Sequence, residues 1–424
     1  MKTYNKGATY MFKKADYKNI KRYLEDIDTF NSTPDFGTTR VLFTEEELKA
    51  RKYVKNEMNK IGLEVSEDAM GNIFGILRGE DSSLSPVWTG SHIDTVLNAG
   101  MFDGMAGVVS GMEALRIIKE SNLNFKRDIK VIVYTSEEPT RFGLSCLGSR
   151  AMAGELTLED IENLKDKDGK SLSQVLRDLG YNLEEFNNVK VKKGDVFAAV
   201  ELHIEQGGVL EHLNLPIGIV HTIEAPTNFD VFVKGKQSHA GGTPMNLRKD
   251  AFLACCDISL ELERLAKESL SEDTVATVGV VDIIPNAANV ISGDVHFTMD
   301  IRDSDYDIKC DLINKLKEFI KEVEKQRMVE ITLNMINDDI PTKSDEQIVE
   351  LLENICESKD IPYKKMVSGA YHDSMMVGKF APVSMIFVPS KDGVSHSPDE
   401  WTDFEDIALG TDILAETLFT LANS

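Results

Sequence analysis

Four short apolar runs constrain this chain more than anything else in it. They are VWTGSHI from Val87, DIKVIVYTS from Asp128, VFAAVELHIEQGG ending at Gly208, and VSMIFVPS from Val383. Runs of this length, bounded by turn residues, are strands of a buried sheet. Between the first two lies AGVVSGMEALRIIKES, whose apolar residues recur at helical spacing. Strand, helix and strand in alternation predict an α/β layer with a mainly parallel sheet. Ligands of such sheets bind beyond the carboxyl ends of the strands. The candidate chemistry of this chain falls at those ends: His92, Asp94 and Asp103 in GSHIDTVLNAGMFDG, the pair Glu137 and Glu138, His203, and His396 in GVSHSPDE.

Around this frame, residues 16 to 31 read as a surface helix, and Thr44 with Glu47 forms a capping box for a helix that stops at Gly62. GNIFGIL from Gly71 is a further strand, and a charged, helical excursion spans Leu156 to Asn188. Between residues 215 and 333 the order of elements becomes β-α-β-β-α-β, the ferredoxin-like arrangement of a compact inserted domain. That assigns 1–214 and 334–424 to one domain and 215–333 to the insert. Period-2 alternation in SGDVHFTMDIRD puts Val295, Phe297, Met299 and Ile301 on one face and His296, Thr298, Asp300 and Arg302 on the other. Two loops of the insert, GKQSHAGGTPM and PNAANVISG, carry His239 and Asn289.

A His, an Asp two residues on and a later Asp suit a pair of metal ions. The imidazole supplies a neutral nitrogen, the residue two further on can orient the ring, and the later carboxylate can bridge two cations. Adjacent glutamates at a strand end repel one another, which favours a cation or a proton between them. One can be a metal ligand and the other a general base, or the pair can be an exposed acidic turn. Of the eight histidines, five (His92, His203, His239, His372, His396) lie in glycine-bearing turn segments after apolar strands, whereas His212, His221 and His296 do not and are expected to be structural. The formal charge of -24 repels nucleic acid and anionic membranes, so a small-molecule partner is expected, and an anionic one needs a local basic pocket. Five cysteines without CxxC spacing read as reduced thiols, and no apolar run approaches a membrane span, so a cytoplasmic protein is expected.

In this order, HxD, D-G, EE, HIEQG, HAGxxPM, N-V and SHxPxE resemble the hydantoinase/carbamoylase branch of the two-metal metallopeptidase superfamily, from about Phe36 to the C-terminus. EEPTRFGLSCLGSR and SGAYHDSMM are most similar to its ureidoglycolate amidohydrolases, and Tyr371 stands where other members usually have glycine. The resemblance implies a two-metal exopeptidase-like catalytic domain with an inserted lid and two divalent ions per subunit, Zn2+ or Mn2+. It implies that Asp103 bridges them, that His92 and His203 complete one position, and that Glu138 and His396 complete the other. Asp94 would orient His92, Glu137 would be the general base and His239 the oxyanion stabiliser. Asn289 and Arg302 would bind the substrate carboxylate, with Gln206, Gly369, Ala370 and Tyr371 lining the pocket. The implied activity is hydrolysis of the carbamoyl C–N bond of a small ureido acid by a homodimer whose lid histidine serves the partner's site. A dipeptidase or aminoacylase and an inactive metal-binding protein are the alternatives.

Overall fold

The structure is a computed structural model that describes residues 13–424, so the lysine-bearing stretch 1–12 lies outside the described residues. The chain divides into two units. The first holds the described residues up to His221, Lys343–Met366 and His372–Ser424; the second holds Thr222–Thr342 and Val367–Tyr371. Among the described residues no helix is long and apolar enough to cross a membrane.

In the first unit the sheet runs Glu64–Glu67, Ile73–Leu77, Ile129–Tyr134, Val87–His92, Ala198–Ile204, Val383–Val388, Ile217–Ile223. Its four middle strands are mutually parallel and its flanks antiparallel. Every residue of Val87–His92, Ala198–Ile204 and Val383–Val388 is buried, because helices Met105–Glu120 and Phe404–Ala422 cover one face of this sheet and Leu147–Ala153 with Asp373–Val377 cover the other. Burial on both faces is why these strands read as unbroken apolar runs. Each fully buried Val, Ile or Leu contributes roughly 1.5–3 kcal/mol, enough to make this layer a rigid base for the loops at its ends.

The helix Glu45–Ile61 ends at Gly62 in the left-handed conformation, as its sequence predicts. The capping box is only half formed. The Thr44 hydroxyl accepts from the Glu47 N–H, but the Glu47 carboxylate takes the Phe43 N–H and Arg51 instead of returning to Thr44. The excursion after Leu156 resolves into helices Leu158–Asn163 and Leu172–Asp178 and a 3-10 turn at Leu183–Asn188.

In the second unit, Ala225–Lys234 and Asp294–Asp303 pair along their full length, and Glu330–Asp338 flanks the former. The segment TVATVGVVDIIP, read as one strand, is two. Val275–Thr277 and Val281–Ile284 both pair with Asp294–Asp303, with Thr277 opposite Asp300 and Val281 opposite Phe297. The one-residue slip between those registers is a bulge around Gly279, so the ferredoxin-like order survives with a kinked edge. Val295, Phe297, Met299 and Ile301 are buried beside helices Ala251–Lys267 and Tyr306–Arg327, whereas His296, Thr298, Asp300 and Arg302 are partly exposed. The division between the units falls at residues 222 and 342, not at 215 and 333. The β-branched run Ile217–Ile223 pairs with Val383–Val388 in the central sheet, and Glu330–Asp338 continues past 333.

Candidate metal centre

Within the first unit, the carboxyl ends of the parallel strands bring His92, Asp103, Glu137, Glu138, His203 and His396 together. His92 ends its strand, and its Nδ1 donates to the Asp94 carbonyl at 2.9 Å. His203 Nδ1 donates in the same way to the Ile204 carbonyl at 2.9 Å. With both Nδ1 atoms committed as donors to backbone oxygens, each neutral ring must carry its lone pair on Nε2. Those Nε2 atoms lie 3.8 Å and 3.3 Å from the same oxygen, Asp103 Oδ1. The other oxygen, Oδ2, lies 3.0 Å from His396 Nε2, which is in turn 3.4 Å from Glu138 Oε1. The two faces of the Asp103 carboxylate thus serve two groups of donors, His92 with His203 and Glu138 with His396, and in each group the donor atoms lie within 4.8 Å of one another.

Local geometry explains why these residues can meet. Gly104 has φ +73°, and a Cβ there would sit 2.4–2.5 Å from the His92 ring, so glycine is required for the ring to pass behind Asp103. Ser136, Gln206 and His396 also have positive φ (56°, 56° and 54°), a concentration of costly backbone conformations at one site. Glu400 Oε1 accepts the N–H groups of Phe102 and Asp103 at 3.0 and 3.1 Å, and its Oε2 accepts from Ser395 at 2.8 Å. That carboxylate ties the His396 loop to the Asp103 loop. Beneath them the fully buried Arg40 donates to the carbonyls of Ile93, Ile27 and Phe30.

Seven buried carboxyl groups belong to the cluster and its surroundings: Asp94, Asp103, Glu137, Glu138, Glu201, Asp373 and Glu400. Burial and the neighbouring acids raise Glu137 well above the usual carboxylate range, and the same causes bring Glu138 to about 8. Burial would also raise Asp103, but the His203 and His396 imidazoles, 3.3 and 3.0 Å from its oxygens, hold it well below its ordinary value. His92 falls to about 4 by burial. His396 rises to about 9 through its hydrogen bond to Asp103. His203 Nε2 is buried and, although 3.3 Å from Asp103, finds no hydrogen-bond geometry. A buried surplus of acids around inward-facing imidazole lone pairs is a donor set that divalent cations fit.

The expected supporting roles fall differently in detail. The Asp94 carboxylate is 3.9 Å from His92 Nδ1 and accepts instead from the N–H groups of Glu137 and Glu138 at 3.3 and 3.1 Å. Its backbone carbonyl orients the ring, while its side chain shapes the turn that presents both glutamates. Gln206 donates from Nε2 to Asp103 Oδ2 at 2.9 Å, so its amide braces the cluster. His372, one of the five strand-end histidines, and Glu201 stand beside His203. His372 packs edge-to-face on His203 at 4.5 Å, and Glu201 accepts from Ser91 and Ser374 at 2.8 and 2.6 Å. The signal for Glu201 was available, since it stands two residues before His203 on one strand and so shares its face.

On the second unit, Ser238–His239 pairs with Val290–Ile291, which brings the His239 and Asn289 loops together. His239 Nδ1 accepts from the N–H groups of Gly241 and Gly242, both at 3.0 Å, so its proton sits on the exposed Nε2 as a donor. Arg302 spends Nε and one terminal nitrogen on Asp300 at 2.9 and 2.8 Å, and the other terminal nitrogen on the Gly369 carbonyl at 2.7 Å. The Ala370 carbonyl accepts from the Ser368 hydroxyl at 3.1 Å, and the Tyr371 phenol donates to Asp339 Oδ2 at 3.0 Å.

A doubly served carboxylate at the strand ends, with two glutamates beside it, is the donor set a metal-dependent hydrolase uses. The chain belongs to the peptidase family M20/M25/M40, whose model matches residues 88–420, and its structural neighbours place it in the hydantoinase/carbamoylase branch of amidohydrolases. It is 40% identical over 412 residues to a ureidoglycolate hydrolase of Oryza sativa subsp. japonica, covering 96% of this chain and 85% of that one. A hydantoinase/carbamoylase family amidase from Burkholderia multivorans superposes with a TM-score of 0.88 at 32% identity, covering 97% and 99% of the two chains. The crystal structure of AtUAH in complex with glyoxylate superposes with a TM-score of 0.87 at 38% identity, covering 97% and 98%.

Proposed function

We propose that this chain hydrolyses the terminal carbamoyl C–N bond of a small ureido acid, ureidoglycolate first among them, with two divalent cations, Zn2+ or Mn2+, held by His92, His203, Asp103, Glu138 and His396. The observation that carries this reading is the division of the Asp103 carboxylate between two donor groups. The 40% identity to a ureidoglycolate hydrolase supports the substrate. The cations, when bound, supply Lewis acidity at the carbonyl and acidify a water molecule.

The chain's own residues do the rest. Glu137, whose Oε2 faces His92 Nε2 at 3.8 Å, takes the proton of the attacking water and returns it to the departing nitrogen. A C–O bond forms, the terminal C–N bond breaks, ammonia leaves, and the remaining carbamate loses carbon dioxide. His239, with its proton on Nε2, donates to the oxygen that gains charge. Asn289 and Arg302 receive the substrate carboxylate. Arg302 is now engaged with Asp300, so that exchange replaces one carboxylate by another in a planar fork.

Ammonia release measured on ureidoglycolate, allantoate, N-carbamoyl-L-amino acids and N-carbamoyl-β-alanine, with a dipeptide as control, tests the reading. Turnover of the dipeptide alone would replace it by the peptidase alternative. A homodimer built through the second unit completes the proposal. Its support is the exposure of Val281, Ile284, Met335 and Ile336 along the two edge strands of that sheet. Mixing His239→Ala and Glu137→Gln subunits should restore activity if the histidine serves the partner's site. Sedimentation as a monomer at assay concentration, or no recovery after verified exchange, would remove the shared site.

A further inference from the structure

The two carboxylate oxygens of Glu137 have different neighbours. Oε2 lies 3.8 Å from His92 Nε2 and so faces the cluster. Oε1 points the other way and accepts from the Cys146 thiol, whose Sγ is 3.5 Å away, within the reach of a sulfur donor. The backbone holds that thiol in place. The Cys146 N–H donates to the Glu137 carbonyl and the Leu147 N–H to the Ser136 carbonyl, both at 2.9 Å, so residues 146 and 147 are clamped opposite 137 and 136. Cys146 and Ser136 both adopt left-handed backbone conformations, φ +59° and +56°, a cost that no packing role for so small a side chain requires.

The thiol is wholly buried among polar groups. Asp373 lies behind it with one oxygen accepting from the Ser149 hydroxyl at 2.5 Å, and the same hydroxyl is 3.2 Å from the Cys146 carbonyl. Burial, with the Asp373 and Glu137 carboxyls beside it, pushes the thiol well above its ordinary pKa, so the sulfur keeps the proton it donates. A buried cysteine is most often a small hydrophobe. This one has a carboxyl group on either side and its S–H on one of them.

We propose that Cys146 is a positioning residue for the Glu137 base: its S–H pins Oε1, which fixes the carboxylate plane and leaves Oε2 as the oxygen that takes the proton from water. The proposal rests on the reading of Glu137 as the base and adds which of its oxygens reacts and what holds it. A residue acting through the base should change turnover and leave substrate affinity and metal content alone.

The test pairs kinetics with a spectroscopic readout. Cys146→Ala should lower kcat by about 10-fold, a typical loss when a group supporting a reacting residue is removed, with KM and bound metal unchanged. Cys146→Ser, which keeps a donor at the same place, should recover most of that loss. Independently of any substrate, the S–H stretch of Cys146, identified in the infrared difference between wild type and Cys146→Ser, should shift in Glu137→Gln because its acceptor changes from carboxylate to amide. Equal losses in the Ala and Ser variants would make the residue a packing element and overturn the proposal, as would an S–H band that ignores Glu137. If wild type releases no ammonia from any ureido acid, the assigned reaction fails, and the infrared result still decides the contact.

Discussion

The two halves of the cluster are built in different ways. On the Oδ1 side of Asp103, His92 and His203 come from adjacent parallel strands, their side chains are 2% exposed, and each ring is locked by a hydrogen bond to a backbone carbonyl. On the Oδ2 side, Glu138 and His396 come from loops, and the His396 side chain is 50% exposed on a residue with positive φ. The inner half draws both of its histidines from the sheet and only its carboxylate from a loop. The outer half depends on a loop tied down by Glu400, and its histidine is the one that solvent reaches.

The largest effect should come from removing the group both halves share. Asp103→Ala should lose both cations and all measurable turnover, because neither histidine pair nor Glu138–His396 then has its carboxylate. Two tightly held ions per chain in that variant, by metal analysis, would break the bridging assignment. Glu137→Gln should come next. It keeps every ligand of both halves, so metal content should stay at wild type while kcat falls by about 10²–10⁴-fold, the usual worth of general acid–base assistance. Near-normal turnover would remove Glu137 as the base.

A smaller effect separates the halves themselves. His203→Ala opens a hole in a fully buried site beside His92 and His372 and should cost both the inner cation and thermal stability. His396→Ala removes a half-exposed loop ligand, so it should weaken one cation and leave the melting temperature close to wild type. In the wild type, a competing chelator should strip one equivalent of metal quickly and the second slowly. A single exchange phase, or equal destabilisation by the two alanine variants, would show that the contrast in burial has no energetic counterpart.

Much of the inner half was legible in the sequence and less of the outer. His92 and His203 end runs apolar enough to read as buried strands, so their position followed from the fold class. The ferredoxin-like unit was legible through the alternation of Val295 to Ile301, which the structure buries face by face. The boundary at residue 222 was missed because Ile217–Ile223 is an apolar run like those of either unit, and only its pairing with Val383–Val388 assigns it. Long-range contacts were not legible at all. That Glu400 holds the Asp103 backbone, that Gln206 donates to Asp103, and that the Asp94 side chain supports the glutamate turn are consequences of three-dimensional approach across 43 to 297 positions, which spacing along the chain does not encode.

The smallest expected effect is a change that leaves both halves alone. Tyr371 lies in the second unit, half-buried, with its phenol donating to Asp339 Oδ2 at 3.0 Å. Asp339 is itself anchored, since its carbonyl accepts from the buried Lys309 ammonium at 2.7 Å. The ring is therefore held at a fixed place and excludes a fixed volume. Tyr371→Gly should leave metal content unchanged and shift the ratio of kcat/KM for ureidoglycolate over allantoate toward allantoate by about 10-fold, the low end of what pocket volume alone discriminates. The lost hydrogen bond costs about 0.5–1.5 kcal/mol of local stability. That loss would lower both specificity constants together, so the ratio separates the two roles. A changed ratio makes the ring a determinant of substrate size. If both constants fall in parallel, the ring only braces its loop through Asp339 and does not set the size of the substrate.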